Sequence, residues 1–171
     1  LVSDAKATWT HTPAHHETFP ITCVTWFEAA AFCAWDGGFL PTEAEWNYAA
    51  SGGSEQRAYP WSSPPGGLEA DCTFANFAPG GTPCTSGGLM ATTDVGKTPK
   101  GNGRWGHADL GGNALEWTFD FVDDYVDPCS DCATLMADPA FRSIRGGNAL
   151  ASSLRTAYRA GAVSQERAFY V

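Results

Sequence analysis

No stretch of this chain approaches the roughly 20 consecutive apolar residues that a membrane-crossing helix needs, so membrane insertion is not expected. Basic residues are scarce: 10 Lys and Arg stand against 19 Asp and Glu, a net charge of −9. That balance argues against partners rich in phosphate, nucleic acid or an anionic bilayer, and leaves room for metal cations or a cationic partner. Charged residues of all kinds make up only 17%, against 43% hydrophobic, which excludes a disordered polyelectrolyte. The opening residues Leu1 to Lys6 contain neither a basic n-region nor an apolar h-region, so no signal peptide is visible; a processed chain would read the same way.

What is abundant is aromatic rings and chain-breakers: seven Trp and ten Phe alongside 19 Gly and 11 Pro. Large rings on a turn-rich frame imply a core of anchored side chains rather than long regular elements. At 171 residues a single domain is expected, spanning 1–171. The six cysteines fall into three couples, Cys23 with Cys33, Cys72 with Cys84 and Cys129 with Cys132. An even count favours disulfides and an oxidising location, extracellular or periplasmic.

Two helix starts are written in capping boxes. Thr25-Trp26-Phe27-Glu28 opens a helix that runs to about Trp35 and stops at Asp36-Gly37-Gly38, with Trp26, Ala29, Ala30 and Cys33 on one face. Thr42-Glu43-Ala44-Glu45 opens a second that stops at Gly52-Gly53. Residues 59–103 are turn-rich and need ties; a Cys72–Cys84 bridge or a bound cation would serve. Short strands are expected near 114–121, 141–145 and 167–171, giving an α+β class with little regular structure.

Several blocks resemble the formylglycine-generating enzyme (sulfatase-modifying factor) family. Pro20 to Trp26, with Ala29, Phe32, Cys33 and Trp35, is similar to its first helix block. Leu40-Pro41-Thr42-Glu43-Ala44-Glu45-Trp46-Asn47-Tyr48-Ala49-Ala50 nearly reproduces its signature, with Tyr59-Pro60-Trp61 following. Ala75-Asn76-Phe77, Asn102-Gly103 and Asp109 to Trp117 match a third block, and Arg142 to Asn148 with Arg155 and Arg159 match the last. The resemblance spans about residues 20–160 and implies a variant of the C-type-lectin-like fold. Relative to the family the chain looks cut at both ends. The family can pair the Cys33 position with a cysteine beyond Val171, so pairing of Cys23 with Cys33 stays open here.

Active members of that family oxidise a substrate cysteine to formylglycine, using oxygen and a copper(I) ion held by two thiolates. Soft Cu(I) selects sulfur. The resemblance puts those two positions at Ala151 and Thr156, the active-site serine at Asn148 and the active-site tryptophan at Leu115. All four have changed, so no copper and no oxidase activity are expected. The family also carries structural calcium. One site transfers as the Asp109 side chain, the Gly112 and Ala114 carbonyls and the Glu116 carboxylate, a hard-oxygen set suited to Ca²⁺. By spacing alone, the alternative is that Asp109 caps a turn while Glu116 pairs with a base. A second site would begin at Asn76 and the Phe77 carbonyl, but the resemblance puts the family's Asp near Gly87, where it is replaced. The loop contains Cys72 and Cys84, whose bridge would take over the stapling role.

Other clusters read as structural. His11, His15, His16 and Glu17 form a polar loop more readily than a zinc site. Cys129-Ser130-Asp131-Cys132 sits among acids that disfavour a thiolate, so a disulfide outranks a redox dithiol. Asp120, Asp123 and Asp124 read as a solvated acidic loop, and Arg142, Arg145, Arg155 and Arg159 as core supports with anion binding a secondary role. The resulting expectation is a non-catalytic binding or structural module, stabilised by calcium and disulfides, whose partner is a protein, peptide or glycan. The alternative is an enzyme of the same superfamily, a formylglycine-generating oxidase or sulfoxide-synthase type, completed by residues outside this chain.

Overall fold

Both capping boxes form in the computed structural model, which describes residues 7–13, 16–62, 70–86, 91–125, 128, 132–135 and 140–167. Helix α1 is Trp26–Trp35 and helix α2 is Glu43–Ser51. At α1 the Thr25 hydroxyl accepts from the Glu28 amide at 3.2 Å, and Glu28 Oε2 accepts the Thr25 amide at 2.9 Å. At α2, Thr42 and Glu45 make the same exchange at 3.1 and 2.7 Å. Each N-cap is worth about 1 kcal/mol, enough to fix where these short helices start. Helix α2 ends on Gly52, whose φ of 69° supplies the left-handed stop.

Three strands, β1 (Glu116–Phe121), β2 (Phe141–Arg145) and β3 (Ala160–Val163), form an antiparallel sheet in that order. Glu116 pairs with Arg145 and Trp117 with Ile144, before an irregularity on the way to Phe121. The third strand of this sheet is at 160–163, which the sequence did not suggest; of the segment expected at 167–171 only Arg167 lies among the described residues, outside any strand. Its Ala-Gly-Ala-Val composition carries almost no β signal. Small residues are needed there, because a Cβ on Gly161 would lie 2.8 Å from the Val122 side chain.

The main core joins α1 to the sheet through Val24, Trp26, Leu40, Trp117, Ile144 and Ala162, with Ala29, Ala30 and Cys33 packed on it. The two indoles are tied as well as buried: Trp26 Nε1 donates to the Thr118 carbonyl at 2.8 Å and Trp117 Nε1 to the Val24 carbonyl at 3.1 Å. Two smaller clusters flank it, one of Trp46, Ala50 and Leu110, the other of Ala75, Phe77 and Leu154. The far side of α1 leaves Phe27, Phe32 and Trp35 exposed.

Cys72 and Cys84 are bridged, with Cα atoms 5.4 Å apart, and staple the turn-rich region as expected. Cys23 and Cys33 are not bridged. A rise of about 1.5 Å per residue carries Cys33 about 10 Å along α1, beyond the roughly 7 Å a disulfide spans. Cys132 is disulfide-bonded, while Cys129 lies outside the described residues.

Candidate functional site

The loop between residues 109 and 116 gathers the four expected calcium ligands. Asp109 and Asn113 adopt positive φ, as does Gly112, so the loop coils tightly. Its fold is locked from outside: the Gly112 amide donates to the Gly146 carbonyl at 2.9 Å, and the Asn113 amide to the Asn76 carbonyl at 2.8 Å. Asn113 Oδ1 accepts from the Thr93 amide and from Asn76 Nδ2. Asp109, Gly112, Ala114 and Glu116 then line one pocket of about 510 Å³, together with Leu115 and apolar neighbours such as Ile21 and Val95. No lysine, arginine or histidine is among the residues lining it.

Electrostatics at this pocket are uncompensated. Glu116 Oε2 accepts the Trp46 indole N–H at 2.6 Å. Burial pushes the Glu116 carboxyl up to about 7; the indole bond opposes the rise and the nearby Asp109 carboxylate adds to it. Asp109 Oδ2 accepts the Gly96 amide at 2.6 Å, so the turn-capping part of the alternative reading is present. Its other part is not: the partner of Glu116 is an indole rather than a base. Two inward carboxylates, two loop carbonyls and no base fit a hard divalent cation. Around Asn76 the picture differs. Its amide donates to the Ala91 carbonyl at 2.7 Å, its oxygen accepts from Thr85, and the Phe77 carbonyl accepts the Cys84 amide at 2.8 Å.

A second concavity, a cleft of about 910 Å³, opens beside α2. Glu43, Asn47 and Ser51 project into it from one helix face, Arg57 follows, and Asp120, Thr134, Arg155 and Thr156 complete the polar wall. Its carboxylates are fully matched. Glu43 receives Arg159 at 2.8 and 2.9 Å and the Tyr125 hydroxyl at 3.1 Å, with Arg145 Nε 3.6 Å away. Arg145 is wholly buried; it donates to the Tyr158 carbonyl and to Asn47 Oδ1, with its guanidinium over Trp46. Asp120 is 3% exposed and accepts from the Glu43 and Thr134 amides, both at 2.7 Å, so it is an N-terminal anchor of α2 and not part of a solvated loop. Asp123 and Asp124 are exposed, as expected.

The altered positions are occupied by ordinary structural contacts. Thr156 spends its hydroxyl on the Arg57 carbonyl at 2.6 Å. The Ala151 carbonyl accepts from Ala78, Asn148 Oδ1 accepts the Leu150 amide at 3.0 Å, and Leu115 packs on the main core. No thiol from a described residue lines the cleft: Cys23 and Cys33 are not among its lining residues, Cys72 and Cys84 are bridged, and Cys132, which does line it, is disulfide-bonded. His11 packs against Trp9 and His16 against Phe19, and among the described residues no group of three metal-binding side chains converges.

Two capped helices backed by a three-stranded sheet, with a coiled acidic loop, define an α+β domain with little regular structure. The Sulfatase-modifying factor enzyme 1-like domain matches residues 2–170, and the chain belongs to that family. It is 37% identical over 126 residues to the formylglycine-generating enzyme of Bos taurus, covering 67% of this chain and 32% of that protein. It is 37% identical over 100 residues to the Bos taurus protein named inactive C-alpha-formylglycine-generating enzyme 2, covering 58% and 32%. The chain thus spans about a third of the length of these relatives. Among solved structures, Treponema denticola variable protein 1 shares the fold with a TM-score of 0.69 at 20% identity, covering 98% of this chain and 75% of that one.

Sequence reasoning placed the acidic loop but missed the cleft. A signal was present: Glu43, Asn47 and Ser51 recur every four residues, a polar row along one face of a helix whose other face is apolar.

Proposed function

We propose that this domain is a non-catalytic binding or structural module on the sulfatase-modifying factor fold, held by calcium and disulfides in an exported protein. The observation that carries the reading is the chemistry at Ala151 and Thr156. A methyl group cannot ligate Cu(I), and the Thr156 hydroxyl is already committed to the Arg57 carbonyl. Support comes also from the relative named as inactive and from the committed state of Cys72, Cys84 and Cys132. Calcium is assigned to Asp109, Gly112, Ala114 and Glu116, where it would neutralise two facing carboxylates and hold the loop; Asn76 and Phe77 are given no cation. Bridged cysteines support an oxidising location.

The test is to incubate the purified chain with copper, oxygen and a cysteine-containing sulfatase peptide. No formylglycine is expected; sustained turnover would reject the reading. A second reading, an enzyme completed by residues outside this chain, draws on the share of its relatives' length that the chain spans. It predicts cuprous-ion binding by a longer polypeptide but not by these 171 residues.

A further inference from the structure

We propose that the cleft beside α2 receives a carboxylate-bearing ligand, held through Arg155, Asn47 and Ser51. This rests on the non-catalytic reading, and it names the chemistry that the cleft would recognise.

The first observation is which polar groups remain unspent. Among the carboxylates nothing is left over: Glu43 is filled by Arg159 and Tyr125, and Asp120 by two backbone amides. Arg57 is likewise committed, to Glu55 and to the Pro60 carbonyl. What remains is donors. Asn47 gives its oxygen to Arg145, which leaves its amide hydrogens for the cleft. Ser51 is 3% exposed, and its hydroxyl has no hydrogen-bond partner. A buried unsatisfied hydroxyl costs about 1–3 kcal/mol, and rotation of the Ser51 side chain toward the cleft would let a bound group satisfy it.

The second observation is the placement of Arg155. Its guanidinium lies over Tyr59 at 5.7 Å, Tyr59 stacks on Trp61 at 5.2 Å, and Trp61 on Phe74 at 5.5 Å. That contact uses none of the guanidinium N–H groups, which stay available to a planar carboxylate. Among the described residues no carboxylate pairs with it. Of the two arginines lining the cleft, Arg57 pairs with Glu55, whereas Arg155 is exposed and pairs with no carboxylate of a described residue. Glu43 and Asp120 on the same wall disfavour a dianion, so a singly charged carboxylate fits better than a phosphate. The volume, about 910 Å³, suits a short peptide segment or a small sugar acid.

The test is calorimetric titration of the whole chain at low salt with two carboxylates: a blocked Gly-Glu-Gly peptide and a glucuronate-ended disaccharide. Each is paired with its neutral counterpart, the glutamine peptide and the glucose disaccharide. At least one carboxylate should bind while its neutral counterpart does not, and which one binds identifies the source. Arg155→Leu should weaken binding at least about tenfold, and Arg155→Lys, which keeps the charge without the fork, should recover part of it. Ser51→Ala should weaken binding about threefold without lowering the melting temperature, because it removes an unsatisfied group. The proposal is overturned if neither carboxylate binds, if the neutral counterparts bind equally, or if Arg155→Leu changes nothing. Copper-dependent turnover is scored separately: its absence together with no carboxylate binding rejects this inference and leaves the non-catalytic reading standing.

Discussion

The acidic loop and the cleft each contain a pair of buried or half-buried carboxylates, and the protein treats them in opposite ways. Asp109 and Glu116 line one pocket with no base among its lining residues, and burial raises the Glu116 carboxyl to about 7. Glu43 and Asp120 are saturated by two arginines, a tyrosine and backbone amides. One pocket keeps its acids without a base, while the other has balanced its acids and keeps an arginine without a carboxylate partner at its rim. Carboxylate content therefore says little about what a pocket binds. What matters is which charges are left after internal pairing.

The largest test of this contrast is to break the balanced side. Glu43→Ala strands Arg145, which has no exposure, and should cost about 3–5 kcal/mol in chemical denaturation. Glu116→Gln in chelator should cost little or even stabilise, since it removes a strained carboxylate. Equal losses from the two variants would erase the contrast. Next in size is the staple of the turn-rich segment: replacing Cys72 and Cys84 together by alanine should cost about 3 kcal/mol, read the same way. Calcium removal follows. At a hundredfold excess over its dissociation constant a bound ion adds about 2.7 kcal/mol, so chelation should lower the melting temperature by roughly 5–10 °C. Glu116→Gln should abolish that shift, whereas Glu43→Gln should leave it intact. The smallest effect is a pH dependence. In chelator, the raised Glu116 carboxyl favours the protonated folded state, so its stabilising contribution is complete below its ordinary value of 4.5 and is lost as pH climbs through about 7. Melts across that window should fall with pH for the wild type and stay flatter for Glu116→Gln.

The two regions also differ in how far they could be read from the sequence. The capping boxes at Thr25 and Thr42 fall within four residues each, so local spacing exposed them. The calcium-type ligand set, though only eight residues long, was suggested by the family resemblance and not by its spacing. The cleft draws on residues near 43–58, 120–134 and 155–157, whose meeting depends on sheet pairing and on the path of the turns. Asp120 was misread for that reason: its partner amide at Glu43 is 77 positions away. The strand at 160–163 was missed because its small residues answer a packing demand from Val122 rather than a strand propensity.

Gly112 gives the acidic loop a further property. A methyl group there would land 2.5 Å from the Asn76 carbonyl, so this loop and the Cys72–Cys84 segment mesh like teeth on neighbouring wheels. Neither can turn without the other, and a spectroscopic label on one should register reduction of the bridge in the other. The staple and the ion loop would then answer as one mechanical part, with redox state and metal occupancy as two handles on the same shaft.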